Sequence, residues 1–412
     1  MNINEILTTT IVLAAVFAYI NHRFIKWPPT IGIMVLSLSS SMLLVVFGSS
    51  HSLLSTKAVQ LASSIDFRDV LMNFMLNFLL FAGAIHIDAS KLKKQRWPII
   101  ILSTLGILIS TILVGVAVYY LFQLFQRPIP LIYCLLFGSL ISPTDPIAVL
   151  AILKDAKIPS SLEVKISGES LFNDGVAVVI FITIAEVARS GIEDISVISV
   201  GKLFLREAVG GLLFGAVLGY AGYYALRSVD DYKVEVMVTL AIVMGGYLIA
   251  GHMHVSGPLA MVVAGIITGN KVSEEILSDI SRDYLEKFWE LIDEILNAVL
   301  FLMIGLEMLI IKINVTIMII GTISILIVLI ARWLSVFFPI LLLRSKNHFE
   351  KHVVAILTWG GLRGGLSVAL ALSLSPDMHR DEFVLITYMI VVFSILVQGL
   401  SIGALAKRLH RT

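Results

Sequence analysis

Gly168-Glu169-Ser170-Leu171-Phe172-Asn173-Asp174-Gly175 stands at the head of a long apolar run that continues from Val176 to Ala188. Two carboxylates, a serine and an asparagine therefore fall within a stretch that reads as a membrane helix. Ionisable side chains inside membrane helices are costly, and where they occur they mark an ion or proton pathway. Ser170 and Asp174 are four residues apart, as are Glu169 and Asn173, and on a helix each pair shares a face. The stretch thus predicts two adjacent oxygen-bearing ridges pointing roughly one way. The competing reading is a helix start whose polar residues merely face water. A second polar cluster weighs against it, because Ser142-Pro143-Thr144-Asp145-Pro146 interrupts the preceding apolar run in a matching manner.

The rest of the chain supplies a membrane setting. Of its 412 residues 58% are hydrophobic and only 14% charged, and the mean hydropathy is +0.95. Apolar stretches of about 20 residues, the length that crosses a bilayer as helix, recur throughout. We therefore expect an all-α polytopic membrane protein forming one transmembrane domain over residues 1–412. The net charge of +1 gives no footing for nucleic acid. The single cysteine, Cys134, excludes an intrachain disulfide framework and reads as packing. The first run, Ile6 to Ile20, is followed by Asn21-His22-Arg23 rather than a small-residue cleavage site, so it is expected to be a retained helix and not a signal peptide.

Thirteen spans are predicted, near 4–21, 28–47, 66–85, 98–122, 131–153, 164–188, 200–226, 234–251, 256–269, 285–306, 314–343, 352–374 and 382–405. The ninth is short, the eleventh long enough to tilt, and a charged linker is expected between Asn270 and Trp289. With the N-terminus outside, twenty of the 30 Lys and Arg residues fall on the inner side, Lys154, Lys157 and Lys346 among them, and eight on the outer side. The asymmetry predicts a cytoplasmic C-terminus.

Two spans are interrupted at mid-depth. In the fifth, Pro143 and Pro146 remove two amide donors and push their neighbours away from α geometry. In the twelfth, Trp359-Gly360-Gly361-Leu362-Arg363-Gly364-Gly365 sets four glycines around a lone arginine. Irregular backbone at membrane depth is tolerated only when buried in protein or lining a water-filled cavity. Paired discontinuous helices point to a secondary-transporter site near the midplane. Spans 4–6 and 11–13 are offset by seven, an odd number, so the repeats run inverted, with spans 5 and 12 as the discontinuous crossing helices of an ion-binding core. The remaining spans form a scaffold and dimerisation part.

These motifs resemble those of the monovalent cation:proton antiporters of the NhaP type, relatives of the animal sodium/proton exchangers. The resemblance rests on the two blocks around Asp145 and Asp174 and on Trp359 to Gly364. It rests further on His254-Val255-Ser256-Gly257-Pro258-Leu259-Ala260, Phe288-Trp289-Glu290-Leu291 and Ala331-Arg332-Trp333-Leu334-Ser335-Val336. It implies that Asp174 binds the cation or the proton, and that Asp145, Ser170 and the Thr144 carbonyl help ligate the ion. It further implies that Asn173 braces the broken helix, that Glu169 pairs with Arg363, and that the protein is a homodimer. Many members carry an acidic residue near the end of the third span, where Ala82 stands here, so an ion-access role does not transfer to that position. The long cytoplasmic regulatory domain of the animal exchangers is not expected after Arg408.

The residues carry the same chemistry without the family. Alkali cations are hard and want several oxygens, which Asp174, Asp145, Ser170 and freed carbonyls supply. Burial raises a carboxylate's pKa and a bound cation lowers it, so one carboxylate takes a proton or a cation in competition. The expected activity is electroneutral one-for-one exchange of Na+, and of Li+, for H+ across the cell membrane by alternating access. Sodium and pH homeostasis follow from it, with no cofactor and no enzymatic step. A K+/H+ antiporter or a proton-gated cation channel is the alternative. An ATP-driven pump lacks a phosphate-binding loop, and an intramembrane enzyme lacks a nucleophile–base or metal motif. Arg332 reads as a structural residue paired within the bundle, and His252 and His254 as loop or cap residues. Span one and the region near Ala216 to Ala221 offer small or apolar faces for a dimer.

Overall fold

The computed structural model describes residues 3–47, 53–64, 66–146, 149–150, 152–153, 159–190, 197–272, 278–344 and 349–410. Lys154, Lys157 and Lys346 lie outside them. Among the described residues every regular element is helical, apart from one isolated backbone pairing between Asp145 and Leu362. The main helices are α1 (Ile3–Ile20), α2 (Pro29–Phe47), α3 (Leu53–Ser64), α4 (Phe67–Ile85), α5 (Arg96–Leu124), α6 (Leu131–Ile141) and α7 (Ser160–Ser190). They continue as α8 (Val197–Arg227), α9 (Tyr232–Met253), α10 (Gly257–Ile267), α11 (Asp279–Glu307), α12 (Val315–Leu343), α13 (Val353–Trp359), α14 (Gly365–Leu372) and α15 (Arg380–Leu409).

Local sequence explains where several of these begin. The Ser256 side chain accepts from the Leu259 amide with Pro258 in the first turn, and Asn314 accepts from the amides of Thr316 and Ile317. Both satisfy helix-start donors that have no intrahelical partner. His254 ends α9 in the left-handed conformation, and His252 bonds back to the Leu248 carbonyl through Nδ1. His254 is thus the cap residue expected, whereas His252 belongs to the last turn of the helix.

Eight of the described helices are long and apolar enough to cross a membrane, and three shorter apolar ones accompany them. Burial separates two roles. The apolar windows of α1, α8 and α9 are 17%, 28% and 33% buried, whereas those of α7 and α15 are 61% and 67% buried. The first group presents Ile11, Val16, Leu213, Val217 and Met244 outward, the surface a lipid-facing helix needs. The second group forms the centre.

One expectation needs correction. The charged stretch before Trp289 is largely not a linker. The Ser278 side chain accepts from the Ser281 amide and starts α11 at Asp279, so most of its acidic residues are helical. On α8, next to the face near Ala216 to Ala221, the glycines pack inside the protomer. Gly211 lies against Ser256, Gly215 against Ala260, and Gly219 against Ile267 and Ala264, too close for a Cβ without a shift. Outward the same helix presents Leu213, Val217, Tyr220 and the small Ala221.

Candidate functional site

The two interrupted helices meet at their breaks. After α6 ends at Ile141 the chain leaves the helix, and the Asp145 amide donates to the Leu362 carbonyl at 2.8 Å. Leu362 lies in the second break, between α13 and α14. Each break thus satisfies part of the other's freed backbone, as irregular backbone at this depth requires.

The charges in the breaks are exchanged between the two helices. The Arg363 guanidinium reaches back to the first break, where Nη1 donates to the carbonyls of Ser142 and, at 2.9 Å, of Pro143. A cation therefore sits at the C-terminal end of α6, where the helix dipole is negative. Asp145 in turn lies beside the N-terminal end of α14. A Cβ at Gly364 would come within 2.6 Å of its Oδ2, so only glycine admits the carboxylate there. An anion at a helix N-terminus is the favourable complement.

Helix α7 braces the first break. The Ser170 hydroxyl donates to the Thr144 carbonyl at 2.6 Å and lies 3.1 Å from the Thr144 hydroxyl. Asn173 donates from Nδ2 to the Thr144 hydroxyl at 2.7 Å and accepts from the Thr144 amide at 3.4 Å. Asn173 thus bonds both the backbone and the side chain of the break. Ser142 is fixed separately, by the hydroxyl of Ser110 on α5 at 2.8 Å.

Glu169 has a different partner from the one expected. Its Oε1 is 2.5 Å from Nη1 of Arg332 on α12, with both side chains buried. Arg332 also donates to the Leu357 carbonyl at 3.0 Å. A Cβ on Gly361 would fall 2.5 Å from the Arg332 Nε, so the second break leaves room for this guanidinium. Arg363 is occupied with the carbonyls of the first break, while Arg332 reaches α7 from the next helix. Arg332 is therefore the paired structural residue read from the sequence, and the Glu169–Arg363 pairing is replaced by Glu169–Arg332.

The second break is tied down by α15. The Arg363 amide donates to the Ser394 hydroxyl at 2.9 Å, Ser394 donates to Gln398 at 2.8 Å, and Gln398 donates to the Trp359 carbonyl at 3.1 Å. Sequence reading passed over these two residues. Their signal was a buried polar pair four residues apart inside an otherwise apolar run.

Asp174 and Asp145 are half-buried and line one cavity of about 720 Å³, with Thr144 and Pro143 of the first break. The cavity runs between the α6–α7–α14 region and a wall made by α4 and α11. Helix α4 contributes Leu79, Leu80 and Gly83, whereas Ala82 is fully buried in the core. Acidic residues come instead from α11 and from Glu163 near the start of α7.

At that end of α7, buried Lys165 pairs with Glu350 at 2.7 Å, and the Ser161 hydroxyl bonds the same carboxylate. Burial pushes the Glu350 carboxyl up, but the bonds from Lys165 and Ser161 outweigh it and hold the group below the ordinary glutamate range.

This geometry can be set beside known proteins. The chain is 48% identical over 98% of its length to the Na(+)/H(+) antiporter NhaP of Pseudomonas aeruginosa, covering 97% of that protein. It is 36% identical to the Na(+)/H(+) antiporter NhaH of Halobacillus dabanensis, over 83% of this chain and 84% of that one. The fold matches the sodium proton antiporter MjNhaP1 of Methanocaldococcus jannaschii with a TM-score of 0.75, at 19% identity and over 98% of this chain and 97% of that one. The family model described as sodium/hydrogen exchanger, transmembrane, matches residues 11–408. With relatives this close along nearly its whole length, and with the motif blocks meeting in space, the chain belongs to the sodium/hydrogen exchanger family.

Proposed function

We propose that this protein exchanges sodium, and lithium, for protons across the cell membrane, one cation for one proton. The observation that carries the reading is one cavity bringing together Asp174, Asp145 and Thr144, with the Ser170 hydroxyl on the Thr144 carbonyl. Those oxygens suit a small hard cation. A proton and a cation compete for the Asp174 carboxylate, so loading one displaces the other. Asp145, beside the N-terminal end of α14, serves as a fixed negative charge. Asn173 is the neighbour of Asp174 and cannot ionise, so one titrating group cycles per turnover. Each loaded state then carries the same added charge, and exchange is electroneutral.

The distribution of Lys and Arg supports an outside N-terminus and a cytoplasmic C-terminus. On that orientation the cavity opens to the cytoplasm, because His86, Glu163 and Glu286 line it. The outward apolar surface of α1 supports a homodimer, with one ion site in each protomer and the α6–α7 and α13–α15 helices as the moving core.

The test uses proteoliposomes with a pH-sensitive dye. Sodium and lithium pulses are expected to move protons, and a membrane potential set by potassium and valinomycin at zero pH gradient is expected to drive no sodium-dependent proton flux. A flux driven by voltage alone would overturn the one-for-one stoichiometry. Absence of any cation-dependent proton movement would overturn the exchange itself.

A further inference from the structure

The wall of the cavity opposite the break is one stripe of α11. Glu286, Glu290, Asp293 and Asn297 are spaced by four, three and four residues, which places them along a single helix face over about 16 Å. All four line the cavity that holds Asp174 and Asp145. Exposure falls along the stripe: Glu286 and Glu290 are exposed, Asp293 is half-buried and Asn297 is 3% exposed.

Asn297 is the unusual member. Its Oδ1 is buried and has no hydrogen-bond partner. A buried amide oxygen left unpaired is destabilising. The free oxygen lies one helical turn beyond the Asp293 carboxylate, on the same face, at the inner end of an acidic approach. A carboxylate and an amide oxygen so arranged are the ligands that a partly hydrated alkali cation takes. Helix α4 offers only apolar residues and glycine to the same cavity, so of the two helices in this wall α11 is the one that offers cation ligands.

We infer that Asp293 and Asn297 form a staging subsite, which holds one monovalent cation before it passes to Asp145 and Asp174. The subsite deepens the exchange reading and rests on it. It binds weakly, because two protein ligands leave most of the hydration shell in place, and it releases the ion as the main site takes it. It raises the cation's occupancy near the main site without taking part in the proton competition there. Asp293 and Asn297 therefore set the apparent affinity for the cation on the face to which the cavity opens, and Asp174 sets whether exchange occurs.

The experiment compares Asp293→Asn, Asn297→Leu and the double variant in uniformly oriented proteoliposomes, with sodium titrated from each face. Asp293→Asn is expected to raise KM on the cavity face about tenfold, equivalent to about 1.4 kcal/mol, and Asn297→Leu about threefold. KM on the opposite face should not move, and the double variant should exceed Asp293→Asn by less than the product of the two effects. A fall in maximal rate with KM unchanged, an equal KM change on both faces, or no change at all would each overturn the subsite. Sodium binding in detergent separates this proposal from the activity reading. An Asp174→Asn protein is expected to retain one weak sodium site that vanishes when Asp293→Asn is added. No residual binding in Asp174→Asn, or binding indifferent to Asp293, contradicts the subsite whether or not the wild-type protein exchanges ions.

Discussion

The two breaks perform opposite tasks with opposite chemistry. The first, Ser142 to Asp145, is made by prolines and spends its carbonyls on Arg363 and Ser170. Its Thr144 and Asp145 line the cavity, and Asn173 and Ser170 hold it in shape from α7. The second, Gly360 to Gly364, is made by glycines and admits other groups. Arg332 passes Gly361, Asp145 approaches Gly364, and Arg363 turns away from the cavity into the first break. Proline fixes a backbone that must present ligands, and glycine clears space where charges from elsewhere must come close. On the proposed reading the two breaks divide the work: the first offers negative oxygens to the ion, and the second supplies the positive counter-charge that keeps the first in place.

This contrast can be broken by removing the countercharges. The largest stability loss is expected for Arg332→Ala, which strands buried Glu169, at about 3–5 kcal/mol. Thermal unfolding in detergent measures it. A double-mutant cycle should give a larger coupling for Glu169 with Arg332 than for Glu169 with Arg363. The reverse ranking would restore the pairing expected from the family motifs and undo the division of roles drawn here. Arg363→Ala should cost less, about 2–3 kcal/mol, because it deletes charge-assisted bonds to two carbonyls rather than one member of an ion pair. Arg363→Lys should recover part of that loss by keeping the charge while giving up the planar fork. If Arg363→Ala melts like the wild type, the first break does not depend on the second.

The smallest effect lies outside the breaks, at Glu350. Its carboxyl is held below the ordinary range in the folded protein, so its pairing with Lys165 contributes stability above the unfolded pKa of about 4.3. That contribution is lost as pH falls through the lower folded value. Glu350→Gln should therefore unfold more easily at pH 7 and show a shallower loss of stability below about pH 4. Parallel pH–stability curves for the variant and the wild type would show that this pair does not anchor α7.

Much of this arrangement was legible in the residues. Prolines three apart and a glycine cluster around an arginine, both at mid-depth, announced the two breaks. The i, i+4 spacing of Ser170 and Asp174 announced a shared face. What sequence did not disclose was which arginine meets Glu169. Position along a span gives depth, but helix rotation and the identity of the neighbouring helix decide contacts. Arg332 and Arg363 lie at comparable depth on different helices, and only packing separates them. The acidic run before Trp289 misled for a related reason. Its composition reads as loop, while its three- and four-residue spacing describes a helix with one wet face, and that spacing was the signal to follow. The small-residue face of α8 was visible as such, but whether it meets another protomer or its own α10 is a tertiary fact.

The central claim is that a cation and a proton compete for Asp174 beside the first break. Asp174→Asn keeps the shape and removes the titrating group. Reconstituted beside the wild type and checked for folding by its melting temperature, it is expected to melt normally and to show no sodium-driven proton movement at any pH between about 5 and 9, a range that spans the pKa of histidine and extends past the usual carboxylate values. Sodium-dependent proton flux retained in a folded Asp174→Asn protein would contradict the account and move the exchanging group to another residue.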